Sequence, residues 1–210
     1  MNYDLVMQEQ INNTKIGSSL LLHACCAPCS SAVIERLSSI FKITILFFNP
    51  NINDKSEYDK RLSELKNFVS KIKTKYPVNI IDGRYNPKEF FAISKGLEEE
   101  KERGKRCYKC YELRLRETAL VARQLKFDFF TTTLSISPYK NSLWLNEIGE
   151  DLSTQYDVSY LYADFKKNNG YKRSIELSKE YNLYRQDFCG CIYSKLERDK
   201  IKCKVFTDQK

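Results

Sequence analysis

No stretch of this chain is apolar for long enough to cross a bilayer, so a membrane-spanning helix is not expected. Met1 to Gly17 is polar and mixed in charge and has no apolar h-region, which argues against a secretory leader. A reducing, cytoplasmic compartment is therefore expected, with no membrane partner. There is no G-x-x-x-x-G-K-[ST] and no S-G-G-x-D, which argues against activation of a substrate by ATP. There is no internal repeat and no low-complexity linker either. A single domain over residues 1–210 is expected, with 1–17 and 195–210 as peripheral segments.

What the chain does have is cysteine. Seven of its eight fall into three tight clusters far apart in sequence. Cys25, Cys26 and Cys29 lie in H-A-C-C-A-P-C, Cys107 and Cys110 in R-C-Y-K-C-Y, and Cys189 and Cys191 in F-C-G-C. Cys203 lies outside all three clusters. Disulfides suit short secreted chains, and this one is long enough to do without staples. Structural zinc usually takes two C-x-x-C knuckles, whereas here there is one, with a vicinal pair and a C-x-C beside it. Adjacent side chains diverge, so a vicinal pair suits two neighbouring metal sites or one large cluster approached from two sides. An iron–sulfur cluster takes four thiolates. Seven leave three for an extra metal or a redox-active thiol pair. The spacing favours iron–sulfur over zinc, and zinc over thiol redox chemistry.

The net charge of +8 and the pI of about 9.0 suit an anionic partner such as nucleic acid. The Lys/Glu alternations at 55–75 and 98–109 read individually as solvated helix faces. Strands are expected at 19–23, 43–48, 78–81, 129–134 and 158–162. Helices are expected at 30–39, 54–75, from Asn86-Pro87, about 107–126 and 142–156. This alternation implies an α/β fold, a doubly wound, mostly parallel sheet with helices on both faces. Right-handed crossovers then put the strands' carboxyl ends on one edge, where such sheets bind ligands. H-A-C-C-A-P-C follows the first strand, F-F-N-P-N the second and S-P-Y-K the fourth. Cys107 and Cys110 open a helix. The Cys-rich C-terminal segment is expected to close over the metal site, with Gly190 allowing close backbone approach.

Several stretches together resemble the cobalamin-independent epoxyqueuosine reductases of the QueH family. They are L-L-L-H-A-C-C-A-P-C from Leu20, F-F-N-P-N-I from Phe47 and R-C-Y-K-C-Y-E-L-R-L from Arg106. T-T-T-L-S-I-S-P-Y-K from Thr131, D-F-K-K-N-N-G-Y from Asp164 and Y-R-Q-D-F-C-G-C from Tyr184 complete the set. The resemblance implies a Rossmann-like fold and the last step of queuosine synthesis, reduction of epoxyqueuosine to queuosine at the wobble position of tRNA. It also implies a 4Fe-4S cluster, an additional mononuclear iron, tRNAs with queuosine-type anticodons as partners, and an electron-donor protein or reductant. Some members of that family carry Asp where this chain has Cys29.

Cys107 and Cys110 are then expected on the cluster, with one of Cys25/Cys26 and one of Cys189/Cys191. The remaining members would join Cys29 on the second iron. His23 is a candidate proton donor or a hydrogen-bonded support. Tyr139 and Lys140 are candidates for protonating the leaving oxygen or meeting an anticodon phosphate. Asn49, Arg114 and Arg185 are candidate tRNA contacts, and Tyr108 and Tyr111 either stack on a base or cover the cluster. The rival readings are another iron–sulfur tRNA-modifying enzyme, such as a thiolation enzyme, and a non-enzymatic zinc-stabilised tRNA-binding module. Colour separates the last from the others, since zinc protein is colourless.

Overall fold

In a parallel sheet covered on both faces every strand is buried twice, so strands read as near-continuous apolar runs rather than alternating ones. Ser19–His23 (β1) and Lys42–Phe47 (β2) are of this kind. The computed structural model, which describes residues 1–207, pairs them in parallel, Leu21 opposite Thr44. Asn79–Asp82 (β3), Phe129–Thr132 (β4) and Ser159–Tyr160 (β5) complete a five-stranded sheet, all parallel, in the order β3-β2-β1-β4-β5. The order reverses between β1 and β4, and the crevice outside their carboxyl ends is where such folds bind ligands.

Successive side chains of β1 point to opposite faces and seed two cores. Leu20 and Leu22 join Met7, Val33, Leu37, Leu65 and Leu177. That face is covered by Tyr3–Asn12 (α1), Ala27–Leu37 (α2), Lys55–Val69 (α3) and Gly170–Glu180 (α7). Leu21 joins Leu115, Ala119, Leu145 and Ile148 on the opposite face, under Lys105–Gln124 (α5) and Ser142–Tyr156 (α6). Pro87–Ser94 (α4) and Ile192–Thr207 (α8) flank the carboxyl edge.

Four details depart from expectation. First, α2 begins at Ala27 rather than Ser30, because the extended backbone of Cys26 makes it the N-cap and Pro28 presets the first turn. Second, β4 ends at Thr132. The next four residues wind into a 3-10 turn, Thr133–Ile136, capped by the Thr132 hydroxyl. Third, α3 stops at Val69, six residues short of Lys75. Fourth, helices α1, α7 and α8 were not anticipated. In the N-terminal segment α1 docks by Met7, by the Tyr3–Tyr162 stack and by Gln10, which bonds the Tyr160 carbonyl and the Tyr162 amide. At the other end, α8 lines the central cavity, and residues 208–210 lie outside the described residues. No helix among the described residues is long and apolar enough to cross a membrane.

Candidate metal centre

The first thiol group is a product of local geometry. Cys25 and Cys26 leave the end of β1, and Cys29 stands in the first turn of α2. Their sulfurs all lie within 4.8 Å of one another, a spacing at which one metal ion can be held. Cys26 Sγ accepts from the Cys29 amide at 3.4 Å and from Gln186 Nε2 at 2.9 Å. Hydrogen bonds from the Cys26 and Cys29 thiols hold Cys25 well below the ordinary thiol range. Burial pushes Cys26 up to about 12, and sharing hydrogen bonds with Cys25 and Cys26 raises Cys29. Three sulfurs this close, one of them held below its ordinary pKa by the other two, form an arrangement that a cation would complete by displacing protons.

The second group is tertiary. Cys107 and Cys110 stand in the first turns of α5, and Cys189 and Cys191 come from the chain just before α8. All four line one small pocket with Phe90, Asn51 and Tyr111. Among the described residues, no three of these sulfurs meet the 4.8 Å closeness of the first group. Burial raises the Cys107, Cys110 and Cys191 thiols, Cys110 to about 11. Gly190, between the last two cysteines, has φ +115°, and a Cβ there would sit 2.9 Å from Ile52 Cγ1. Glycine is therefore required where this segment turns inward.

Buried cations surround both groups. Arg61 is 1% exposed; its Nε donates to Glu57 at 2.7 Å and its Nη1 to the Cys189 carbonyl at 3.2 Å. Arg114, also 1% exposed, donates to Asn49 Oδ1 at 2.8 Å, with Nη1 4.0 Å from Cys110 Sγ. Arg106 donates to the Leu97, Glu98 and Glu100 carbonyls. Lys140 donates to Glu102 Oε1 at 3.0 Å and to Cys189 Sγ at 3.2 Å. Burial disfavours its charge, but the Cys189 sulfur and the Glu102 carboxylate beside it override that and raise it well above the ordinary lysine value. Buried cations need partners: Arg61 has Glu57 and Lys140 has Glu102, Arg106 rests on carbonyls, and Arg114 has the Asn49 side-chain oxygen and Cys110 nearby.

Beside the thiols opens a cavity of about 550 Å³, a size that suits one nucleoside. Cys25, Cys29, Cys189 and Lys140 line it, as do Arg185 and Tyr139. Tyr139 is 60% exposed, with the Arg103 guanidinium 5.2 Å from its ring centre. Arg185 is anchored to the Ser178 hydroxyl at 3.0 Å.

The remaining candidates are placed differently. His23 is fully buried, its Nδ1 2.8 Å from the Thr132 hydroxyl and its Nε2 3.1 Å from the Phe48 carbonyl. Burial and the Arg114 charge lower its pKa to about 3, so it is a neutral support beneath the thiols. Asn49 is also fully buried, donating to the Ala24 carbonyl at 2.8 Å while accepting from Arg114. Asn49 therefore braces the site from inside and presents nothing to a polynucleotide. Arg114 reaches the cavity wall but is otherwise buried, with its guanidinium held by Asn49. Tyr111 is 1% exposed and offers no face to a base, while Tyr108 packs edge-on against Trp144 at 5.4 Å. The aromatic flanks of the C-x-x-C thus cover the centre.

Sequence reading passed over Arg61, Glu102, Gln186, Asn51 and Ser194. Arg61 sits in a Lys/Glu-rich helix that reads as solvated. Asn51 and Gln186 were visible only as parts of F-F-N-P-N and Y-R-Q-D-F-C-G-C. Ser194 bonds the Cys189 amide at 2.9 Å and Glu102 at 3.4 Å, links between distant segments with no sequence signal.

The profile described as epoxyqueuosine reductase QueH matches residues 20–197, from the start of β1 into α8. The chain belongs to the epoxyqueuosine reductase QueH family. Curated QueH relatives extend across nearly the whole chain. One from Streptococcus pyogenes serotype M1 is 44% identical over 92% of this chain and 78% of its own length. Another from Staphylococcus epidermidis is 41% identical over 94% and 86%. A third, from Thermotoga maritima, is 35% identical over 89% and 95%. Each is named epoxyqueuosine reductase QueH.

Proposed function

We propose that this protein is an oxidoreductase that reduces epoxyqueuosine to queuosine at the wobble position of tRNAs with queuosine-type anticodons, working in the cytoplasm. The carrying observation is a nucleoside-sized cavity with Cys25, Cys29, Cys189 and Lys140 in its wall, next to a four-thiol pocket. Both carbon–oxygen bonds of the epoxide break and a carbon–carbon double bond forms. The oxygen leaves as water, taking up two electrons and two protons. The electrons come from an electron-donor protein or an added reductant.

The donor set fits a 4Fe-4S cluster with a separate iron. Four thiols share one small pocket, three others converge at single-ion spacing, and buried cations stand close enough to offset part of the charge such a group carries. On this reading Cys107, Cys110, Cys189 and Cys191 hold the cluster, and Cys25, Cys26 and Cys29 hold the second iron. This differs from the expectation that each of the two pairs Cys25/Cys26 and Cys189/Cys191 is split between the groups. When bound, the two groups supply single electrons and a Lewis-acidic position for the epoxide oxygen.

The chain's own residues do the positioning. Lys140 Nζ, held by Glu102, projects an N–H donor between pocket and cavity, where the leaving oxygen can accept it. Arg185 and Tyr139 face the nucleotide, by hydrogen bonding and by stacking at the mouth. His23 and Asn49 tie the end of β1, which carries the vicinal thiols, to the loop after β2.

The test is single-turnover conversion of epoxyqueuosine-containing tRNA by anaerobically purified protein and a chemical reductant, followed by nucleoside mass spectrometry. Queuosine formed in proportion to brown, iron-loaded protein is expected. Fully loaded protein that binds the tRNA and forms none overturns the activity. Colourless, zinc-loaded protein would favour the non-enzymatic binding module.

A further inference from the structure

Buried polar atoms without partners are rare in folded proteins, and each asks what it is meant to meet. In this molecule several gather at one place. The side-chain amide of Asn51 is 1% exposed and neither its Nδ2 nor its Oδ1 has a partner. The Tyr111 hydroxyl and Arg106 Nε are likewise buried and unpartnered. All three residues line the pocket of Cys107, Cys110, Cys189 and Cys191, and they reach it from different elements. Asn51 comes from the loop after β2, whereas Arg106 and Tyr111 come from α5. Each brings a donor hydrogen. Four of the pocket's lining residues are cysteines, while Glu102 and Ser194 are bonded to Lys140 and to the Cys189 amide; Cys110 and Cys191 have few polar neighbours of their own.

We infer that Asn51 Nδ2–H and Tyr111 Oη–H are hydrogen-bond donors to the sulfurs of the metal group held in this pocket, and that they set its reduction potential. This rests on the proposed cluster at these four cysteines. A leftover buried donor costs stability in the metal-free chain, so its retention points to a partner that arrives with the metal. Sulfur that accepts a hydrogen bond carries excess negative charge more easily, so the reduced, more anionic state gains most and the potential rises. Asn51 and Tyr111 are positioning residues; neither is a ligand, and neither touches the substrate cavity.

The test uses Tyr111→Phe and Asn51→Leu, which remove the donors at nearly constant shape. Thr133→Val is the control, since it removes an orphaned buried hydroxyl that lines neither the pocket nor the cavity. Redox titration of the anaerobic proteins, followed by absorbance and electron paramagnetic resonance, should show a lower midpoint for both test variants and no change in the control. The expected shift is about tenfold in the reduced-to-oxidised ratio at fixed potential, ~59 mV for a one-electron couple. In metal-free protein Tyr111→Phe should leave the melting temperature unchanged or higher, because the lost hydroxyl had no partner there. Full cluster loading with unchanged midpoints overturns the inference and leaves the cluster intact. Equal shifts in the control also overturn it. Absence of any iron–sulfur signal in unaltered protein overturns the cluster itself, and the inference with it. If a variant does not load, pulsed resonance on the unaltered reduced protein in light and heavy water decides. Exchangeable protons coupled to the cluster support the bonds, and their absence rejects them.

Discussion

The two thiol groups are built by different means. Cys25, Cys26 and Cys29 lie within one turn of chain, and their convergence follows from an N-cap at Cys26 and a proline-started helix. Cys107, Cys110, Cys189 and Cys191 come from segments far apart in sequence and meet only because the last segment folds back. That return is tied down by Arg61 on the Cys189 carbonyl, Ser194 on the Cys189 amide and Lys140 on the Cys189 sulfur. The local group lines the open cavity with Cys25 and Cys29; the tertiary group sits in a smaller pocket and reaches the cavity only through Cys189. A local group can exist before folding is complete, whereas metal bound to the tertiary group adds its binding energy to closure of the chain end.

The largest effect should break the tertiary group. Cys107→Ser or Cys110→Ser should remove the iron–sulfur absorbance and all reductase activity. Retention of a full cluster and turnover by both variants would show that α5 is not a cluster arm. Next come the local thiols. Cys29→Ser should leave the cluster absorbance but bring iron down to parity with acid-labile sulfide and abolish turnover, whereas Cys29→Asp should keep some turnover. A hard carboxylate can hold a single iron, while a cluster strongly prefers thiolate. Cys26→Ser sharpens the division further. Survival of the cluster is expected, and its loss would mean that the vicinal pair serves both groups.

Smaller effects test what holds the two groups together. Arg61→Met leaves Glu57 and the Cys189 carbonyl without their partner and should cost about 3 kcal/mol or more in thermal unfolding. Gly190→Ala forces a side chain into φ +115° against Ile52 and should cost about 1–3 kcal/mol, with reduced cluster loading but normal metal at Cys29. A Gly190→Ala protein with normal loading would show that this turn is free to adjust. Tyr139→Ala should change least: metal content unaltered, with KM for tRNA raised by about 1 kcal/mol in binding. A fall in kcat at unchanged KM would instead place Tyr139 in the chemistry.

Much of this was legible in advance, and the errors have identifiable causes. The strands of the sheet and the helix at 142–156 follow from apolar runs and turn residues, which act locally. Helix α2 started early because a cysteine served as its cap, a role usually taken by serine or asparagine. The end of the fourth expected strand became a 3-10 turn because the Thr132 hydroxyl bonds the Leu134 amide. Asn49 in F-F-N-P-N and Arg114 after the C-x-x-C read as substrate contacts from their positions, but both are buried, and Tyr111 takes the covering role of its two candidate roles.

By itself the sequence determined the alternation of strand and helix and offered seven candidate ligands, several of them at the carboxyl ends of strands. These follow from period, turn chemistry and residue type, which are properties of short segments. Only the tertiary structure decided which thiols share a pocket, which arginines are buried beside them and which donors are left without partners. Those outcomes depend on how α5, the loop after β2 and the C-terminal segment pack together, and packing is a relation between segments that no single one of them encodes.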